Sequence, residues 1–411
     1  MTFTRKNADL TPIEDTVFSV VNLAKKDRAE NGAEHVIDAT IGSLCDEQEQ
    51  LTAYRNVFAH YDAIDDKTKA AYAASFSGNP DYREAVWNWV TQNTDLHLAH
   101  SVIATPGGSG ADSTALRVFL DVNQTVILPN IAWGSYNLMA SENNIETAFY
   151  TMFDGDHLNM SSIKETVLKV MEKQDRIVLV VNDPCHNPTG YSMTIAEWKE
   201  LIAFLNECSK RMPVILIDDI AYIDYSYDLN HVRDYMNEFN HISDNVMIIT
   251  AFSCSKTLTS YGLRCGAAVI QAQKEESVRE AEIVFEKAAR ATWSNIPNAA
   301  MANFVWVTSK NRDAFMQEKQ TYIDLMKERS DLFILQAKAC GLPFYPYKEG
   351  FFVTLKIEDK DRRDRVHEAF LKNHIYAVKV KNGIRVAICS LPVRKIDGLA
   401  LTMKTIMDSV Q

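Results

Sequence analysis

The sequence predicts an α/β fold: a large domain with a mostly parallel sheet flanked by helices, plus a smaller α+β domain. Three observations carry this. Between Ser101 and Ala272, six short apolar runs bounded by turn residues alternate with amphipathic stretches, as βα units around a sheet buried on both faces do. Four polar clusters follow four of those runs, the place where open α/β sheets hold ligands. Beyond Lys310 the pattern changes to one long helical stretch, two strand-like runs and a C-terminal helix.

The strand runs of the large domain are Val102–Ala104, Val126–Leu128, Ile177–Val181, Val214–Ile217, Val246–Thr250 and Ala267–Ile270. Helical spacing is clearest at Ile195, Trp198, Leu201, Ile202 and Leu205, which cover one face of the sheet. The later strand runs are Phe351–Ile357 and Ile384–Cys389. The expected organisation is residues 51–310 as the large domain and 311–411 as the small one, with residues 1–50 packing against the latter. No internal repeat or low-complexity linker interrupts the chain.

Composition narrows the function. At 411 residues, with 46% hydrophobic and 24% charged residues, the chain is globular and can bury roughly three quarters of its extended-chain surface. A net charge of −11 argues against nucleic acid or an anionic membrane as partner, so any bound anion needs a local site. The seven cysteines form no C-x-x-C pair, which signals neither a disulfide framework nor zinc. His97 and His100 have ligand spacing but no third ligand nearby, and no metal is expected. Without an apolar h-region or a run of about 18–20 apolar residues, the expectation is an unprocessed cytoplasmic protein.

The four clusters hold the chemistry. Gly107-Gly108-Ser109-Gly110 precedes a helical pattern and could offer backbone N–H groups to a phosphate, or serve as a plain turn. It lacks the third glycine of a dinucleotide fingerprint and the Gly-Lys-Ser/Thr of a P-loop. Lys256, in Ser253-Cys254-Ser255-Lys256 with Arg264 following, is a surface lysine or, in a desolvated pocket with cationic neighbours, a Schiff-base nucleophile. Asp218 and Asp219 alternate across a strand, so one at most faces a given pocket. Such a carboxylate can hold a pyridinium proton while Tyr222 bonds a ring oxygen; the alternative is a helix cap and a core tyrosine.

Cys185-His186-Asn187-Pro188-Thr189-Gly190, then Asp219-x-x-Tyr222, Ser253-x-x-Lys256-x7-Arg264 and Arg385 in Gly383-Ile384-Arg385-Val386, resembles the fold-type I pyridoxal-phosphate aminotransferases from Ile41-Gly42 through Arg385. The resemblance implies pyridoxal 5'-phosphate as cofactor and Lys256 as the lysine that bonds it and moves the substrate proton. It further implies Asp219 on the pyridine nitrogen, Tyr222 and Asn187 on the ring oxygen, and Trp133 stacked on the ring. Gly108, Ser109, Ser253 and Arg264 would bind phosphate; Gly42, Trp133 and Asn187 would line the substrate side, and Arg385 would grip the α-carboxylate.

Cys-His-Asn-Pro-Thr-Gly and the stretch Arg290-Ala291-Thr292-Trp293-Ser294-Asn295-x-Pro297 are similar to the aspartate and aromatic branch of class I. There the arginine matching Arg290 reaches a dicarboxylate substrate from the partner subunit, so a homodimer with shared active sites is implied. The branch places a tyrosine five residues before the glycine matching Gly78 to bind phosphate across the dimer. Here Ala73 occupies that position, and Tyr72, one residue earlier, is carried over.

The implied reaction is ping-pong transfer of an amino group from aspartate or an aromatic amino acid to 2-oxoglutarate. A lyase or decarboxylase on the same scaffold is the alternative, since the bond broken depends on which stands perpendicular to the ring. A non-catalytic regulator of this fold would need an appended nucleic-acid-binding segment. The roughly 15 residues before Thr16 are too few for one.

Overall fold

The computed structural model describes residues 3–4, 10–12 and 16–410, so the reading of the segment before Thr16 falls largely outside the described residues. The large sheet has seven strands in the order Ala99–Thr105, Gly266–Ala272, Val246–Ser253, Val214–Asp219, Ile177–Asn182, Thr125–Pro129, Glu146–Tyr150. Gly266–Ala272 is antiparallel to both its neighbours, and the pairs from Val246–Ser253 outward are parallel.

All six apolar runs of the large domain are strands of this sheet. Every residue of Ile177–Asn182, Val214–Asp219 and Gly266–Ala272 is buried, which is why these strands read as continuous apolar runs rather than alternating ones. The seventh, Glu146–Tyr150, leaves Glu146 and Phe149 exposed. As an edge strand it needs no second apolar face, and the sequence shows no run there. Separate apolar cores lie on the two sides of the sheet, one around Leu179, Trp198 and Phe304, the other around Ile217, Ile249 and Phe285. Helix Ile195–Ser209 is closed at its start by a capping box between Thr194 and Glu197.

A 29-residue helix, Arg312–Cys340, ends at Gly341, whose φ of 69° is the left-handed conformation that glycine adopts without strain. It leads into a four-stranded sheet ordered Ile37–Ala39, Ile375–Val380, Gly383–Ala387, Phe352–Lys356. Two of these strands carry no mark in the sequence reading. Ile37–Ala39 is three residues long, and Ile375–Val380 begins two residues after helix Lys360–Lys372, separated by Asn373 and His374. Helix Thr16–Asn31 packs on the same sheet, burying Val20 and Ala24 against Val36 and Tyr376.

Among the described residues no helix is long and apolar enough to cross a membrane, and no cluster of three or more histidine, cysteine or acidic side chains could hold a metal ion. All seven cysteines are free thiols.

Candidate active site

The carboxyl ends of the parallel strands open into one large cavity that is also lined by Phe352, Val378 and Arg385 of the four-stranded sheet. Strand geometry puts its groups there. Val214–Asp219 ends with two aspartates on opposite faces: Asp218 accepts from the Tyr235 hydroxyl at 2.8 Å in the interior, while Asp219 faces the cavity. Asp219 is 4% exposed, and its Oδ1 accepts the Ala221 N–H at 3.0 Å while its Oδ2 accepts a short hydrogen bond from the Tyr136 hydroxyl. Burial pushes the Asp219 carboxyl above its ordinary range; these two donors and the Lys256 charge oppose that push.

Strand Val246–Ser253 delivers Ser253 and, in the short helix Cys254–Thr257, Lys256. The Lys256 Nζ donates to the Gly42 carbonyl at 2.8 Å and lies 4.7 Å from the Tyr261 ring centre and 5.3 Å from that of Tyr222. Burial, with smaller contributions from the Arg385 and Arg264 charges, lowers its pKa to about 8. A lysine free of its proton near neutrality is a usable nucleophile and base.

Arg264 has a left-handed backbone, φ 50°, and donates to the Tyr261 carbonyl at 2.8 Å and the Pro106 carbonyl at 3.3 Å. A Cβ on Gly107 would approach Arg264 Nη2 to 2.8 Å, so glycine is what lets the arginine lie across the first turn of helix Gly107–Phe119. Gly108 and Ser109 in that turn, Ser253 and Arg264 all line the cavity. Backbone N–H groups at a helix start, two hydroxyls and a guanidinium are groups that can together hold a phosphate.

Arg385, from strand Gly383–Ala387, is 7% exposed. It donates to the Thr40 carbonyl at 2.8 Å and to Asn187 Oδ1 at 3.3 Å, and its plane lies 4.4 Å from the Phe352 ring centre. Its Nε has no partner. A guanidinium buried with a donor to spare can receive a carboxylate. The Asn187 side chain also bonds Tyr222, whose hydroxyl burial holds well above the usual phenol value. Trp133, in the loop after Thr125–Pro129, lines the same cavity, with its ring 5.4 Å from that of Tyr136 at 82°.

Eleven of the thirteen residues singled out in the sequence thus line one cavity: Gly42, Gly108, Ser109, Trp133, Asn187, Asp219, Tyr222, Ser253, Lys256, Arg264 and Arg385. Arg290 and Tyr72 do not. Arg290 is exposed near the end of helix Glu275–Thr292, donating to Ser294 Oγ at 2.6 Å and lying 4.8 Å from the Phe76 ring centre; Tyr72 is 85% exposed. Sequence reasoning missed Tyr136, Tyr261 and Asp112. Tyr136 follows Trp133 by three residues in the same loop and helix start, a spacing that marks it as a neighbour.

The family model described as aminotransferase class I and II matches residues 34–401. The chain belongs to that family. A solved aminotransferase from Anaerococcus prevotii is 31% identical, covers 98% of this chain with 99% of its own, and superposes with a TM-score of 0.95. An aspartate aminotransferase from Salmonella typhi is 26% identical over 67% of this chain and 68% of its own length, and a histidinol-phosphate aminotransferase from Bdellovibrio bacteriovorus is 25% identical over 65% and 66%. An aromatic-amino-acid aminotransferase from Burkholderia pseudomallei, covalently bound to pyridoxal phosphate, shares the fold at 20% identity and a TM-score of 0.79. The protein is an enzyme that moves amino groups between amino acids and 2-oxo acids with pyridoxal 5'-phosphate. The cavity fits that cofactor: groups that can hold a phosphate, a lysine of lowered pKa and a buried carboxylate all line it.

A buried ionic cluster underpins the aminotransferase's lysine. Asp224 receives Arg233 Nη2 at 2.6 Å, Trp89 Nε1 at 2.9 Å and the Thr257 hydroxyl at 2.6 Å, and Lys319 Nζ donates to the Thr257 carbonyl at 3.0 Å. Thr257 is the residue next to Lys256. Asp224→Ala would leave two buried cations without their counter-charge, a loss of about 3–5 kcal/mol. Thermal unfolding of the purified variant should show Tm lowered by several degrees; an unchanged Tm would mean the cluster contributes nothing net.

Proposed function

We propose that the aminotransferase takes aspartate or an aromatic amino acid as donor and 2-oxoglutarate as acceptor, in a ping-pong cycle, as a homodimer whose active sites are shared. The supporting observation is Arg385, buried beside Asn187 with a free Nε, together with an arginine at position 290 that its own cavity does not use. The bound cofactor supplies an electron sink that makes the substrate's α-proton removable. Asp219 would hold the ring nitrogen's proton, Tyr222 and Asn187 the ring oxygen, and Trp133 one ring face. Gly108, Ser109, Ser253 and Arg264 would fix the phosphate. Arg385 would anchor the α-carboxylate and so present the α-hydrogen to Lys256, whose Nζ would take that proton as a base and give it up again as an acid.

Arg290 and Tyr72 are assigned to the partner's site. An arginine that receives a side-chain carboxylate in a water-poor pocket contributes about 2–5 kcal/mol, roughly 30-fold or more in specificity. Arg290→Ala should therefore lower kcat/KM for aspartate, glutamate and 2-oxoglutarate by at least about 30-fold and for phenylalanine far less. Equal losses for aspartate and phenylalanine in single-turnover reactions would remove the assignment. Sedimentation should find a dimer, and a fully active monomer would overturn the shared-site reading.

The pH dependence of cofactor capture follows from Lys256. With its pKa at about 8, Nζ is mostly protonated at pH 7 and mostly free at pH 9. Capture of pyridoxal phosphate by cofactor-free protein, followed by its visible band, should accelerate about tenfold per pH unit below 8 and level off above it. A rate flat from pH 6 to 10 would contradict this.

A further inference from the structure

Asp112 stands in the cavity wall with nothing in the reading above to explain it. It belongs to helix Gly107–Phe119, four residues after Gly108 and three after Ser109. That spacing places it on the helix face that carries the phosphate cradle, about one turn deeper. The side chain is 2% exposed and lines the same cavity as Asp219, yet neither carboxyl oxygen has a hydrogen-bond partner.

An ionised carboxylate there would be buried with all its acceptor sites empty, which is costly. Of the charged and titratable groups packed around the helix, Asp219 bears on Asp112 directly, and Tyr136, from helix Ser135–Glu142, lies beside both. No cation bears on it among the described residues. Burial and the Asp219 charge both push its carboxyl well above the usual range. Asp219, by contrast, has two donors of its own and the Lys256 charge to keep it ionised. The two carboxyls are therefore unequal: Asp219 is the anion and Asp112 the acid. A neutral carboxyl has one O–H to give. The Tyr136 hydroxyl donates to Asp219 and keeps only a neutral oxygen as acceptor, so the stronger acceptor in this cluster is the charged Asp219 carboxylate.

We propose that Asp112 is a positioning residue of the cofactor site: as a neutral acid it donates its O–H to Asp219 and so sets how strongly Asp219 holds the ring N–H of pyridoxal phosphate. This rests on the reading that Asp219 faces the ring nitrogen. A third donor on Asp219 draws charge away from the oxygens and weakens the clamp on the ring. Removing that donor strengthens the clamp, and replacing it by another neutral donor leaves it unchanged.

The test is the affinity of cofactor-free protein for pyridoxal phosphate and for its 1-deaza analogue, which has carbon in place of the ring nitrogen, in wild type, Asp112→Leu, Asp112→Asn and Asp219→Asn. Asp112→Leu should bind pyridoxal phosphate about 2- to 13-fold more tightly, the span of one hydrogen bond. Asp112→Asn should bind it within about twofold of wild type, and neither substitution should alter binding of the deaza analogue. Asp112→Asn and Asp112→Leu weakening pyridoxal phosphate together would make Asp112 an anion and overturn the proposal. So would a Leu effect of equal size on both cofactors. Asp219→Asn should weaken pyridoxal phosphate and spare the analogue; if it does not separate them, the placement of Asp219 fails instead, and infrared spectroscopy then decides Asp112 alone. The difference between wild-type and Asp112→Asn protein at neutral pH should show loss of a protonated-carboxyl stretch; loss of a carboxylate stretch refutes the proposal. Should the Asp112 variants not fold, Asp219→Asn in the otherwise native chain must shift that protonated-carboxyl band, and an unmoved band refutes the pairing.

Discussion

Lys256→Ala will turn over amino acids at least about 10⁴-fold more slowly than wild type, the upper end of what one positioned acid–base group supplies. The figure is a lower bound, because the same Nζ is also the nucleophile that captures the cofactor. No neighbour can substitute for it. The nearest rings, Tyr222 and Tyr261, have hydroxyls that burial keeps firmly protonated, and the cations that act on Lys256 are Arg385 and Arg264, whose guanidinium stays charged. Of the other lysines lining the cavity, Lys360 and Lys379 pair with Asp364 and Lys381 lies over the Phe149 ring. The cavity itself should survive, since Lys256 makes one hydrogen bond, to the Gly42 carbonyl. The purified variant should therefore still bind pyridoxal phosphate through the phosphate cradle but show no lysine-linked visible band. Turnover within tenfold of wild type would end the assignment of Lys256.

Arg385→Ala comes second in size and differs in kind. Every amino acid and every 2-oxo acid presents an α-carboxylate, so both half-reactions should fall together, by about 30- to several thousand-fold in kcat/KM. Arg385→Lys should recover little, because an ammonium cannot reproduce the planar fork held between Phe352, Asn187 and the Thr40 carbonyl. Set beside Arg290→Ala, the profile across donors separates the two arginines. Losses confined to dicarboxylates in Arg385→Ala would mean the roles are exchanged.

How legible all this is in the sequence varies with burial. The central strands are readable because both faces are covered, so almost every side chain in Val214–Ile217 is apolar. The edge strand Glu146–Tyr150 is not, since its polar residues are free to face water. Asp219 could be narrowed to one of two neighbours by strand alternation alone, and the structure sends Asp218 to Tyr235 as that geometry requires. The phosphate cradle, Lys256 and Arg385 are each ambiguous in isolation. They become specific only as an ordered set, because their common cavity is assembled from strand ends that lie far apart in the chain. Tyr136 and Asp112 escaped notice for a physical reason: a tyrosine in an apolar-looking helix and an aspartate in a helix's second turn have ordinary explanations. Only three-dimensional neighbours show that one donates to Asp219 and the other lacks any donor.

The antiparallel strand Gly266–Ala272 has a consequence for how the molecule loses its cofactor. Because it runs against its neighbours, its start lies where they end, so Gly266 pairs with both Ser253 and Thr105. The segment from Cys254 to Cys265 is thereby a closed loop, tied at its base by the Cys254 N–H to the Cys265 carbonyl at 3.1 Å. Lys256 sits near one stem of that loop and Arg264 near the other, so a ligand held by both spans it like a rivet. Ligand binding adds roughly 4 kcal/mol to whatever must open at a thousandfold excess over Kd. A cofactor held by both stems would therefore protect that loop from local opening, and the protection would rise with the free cofactor concentration.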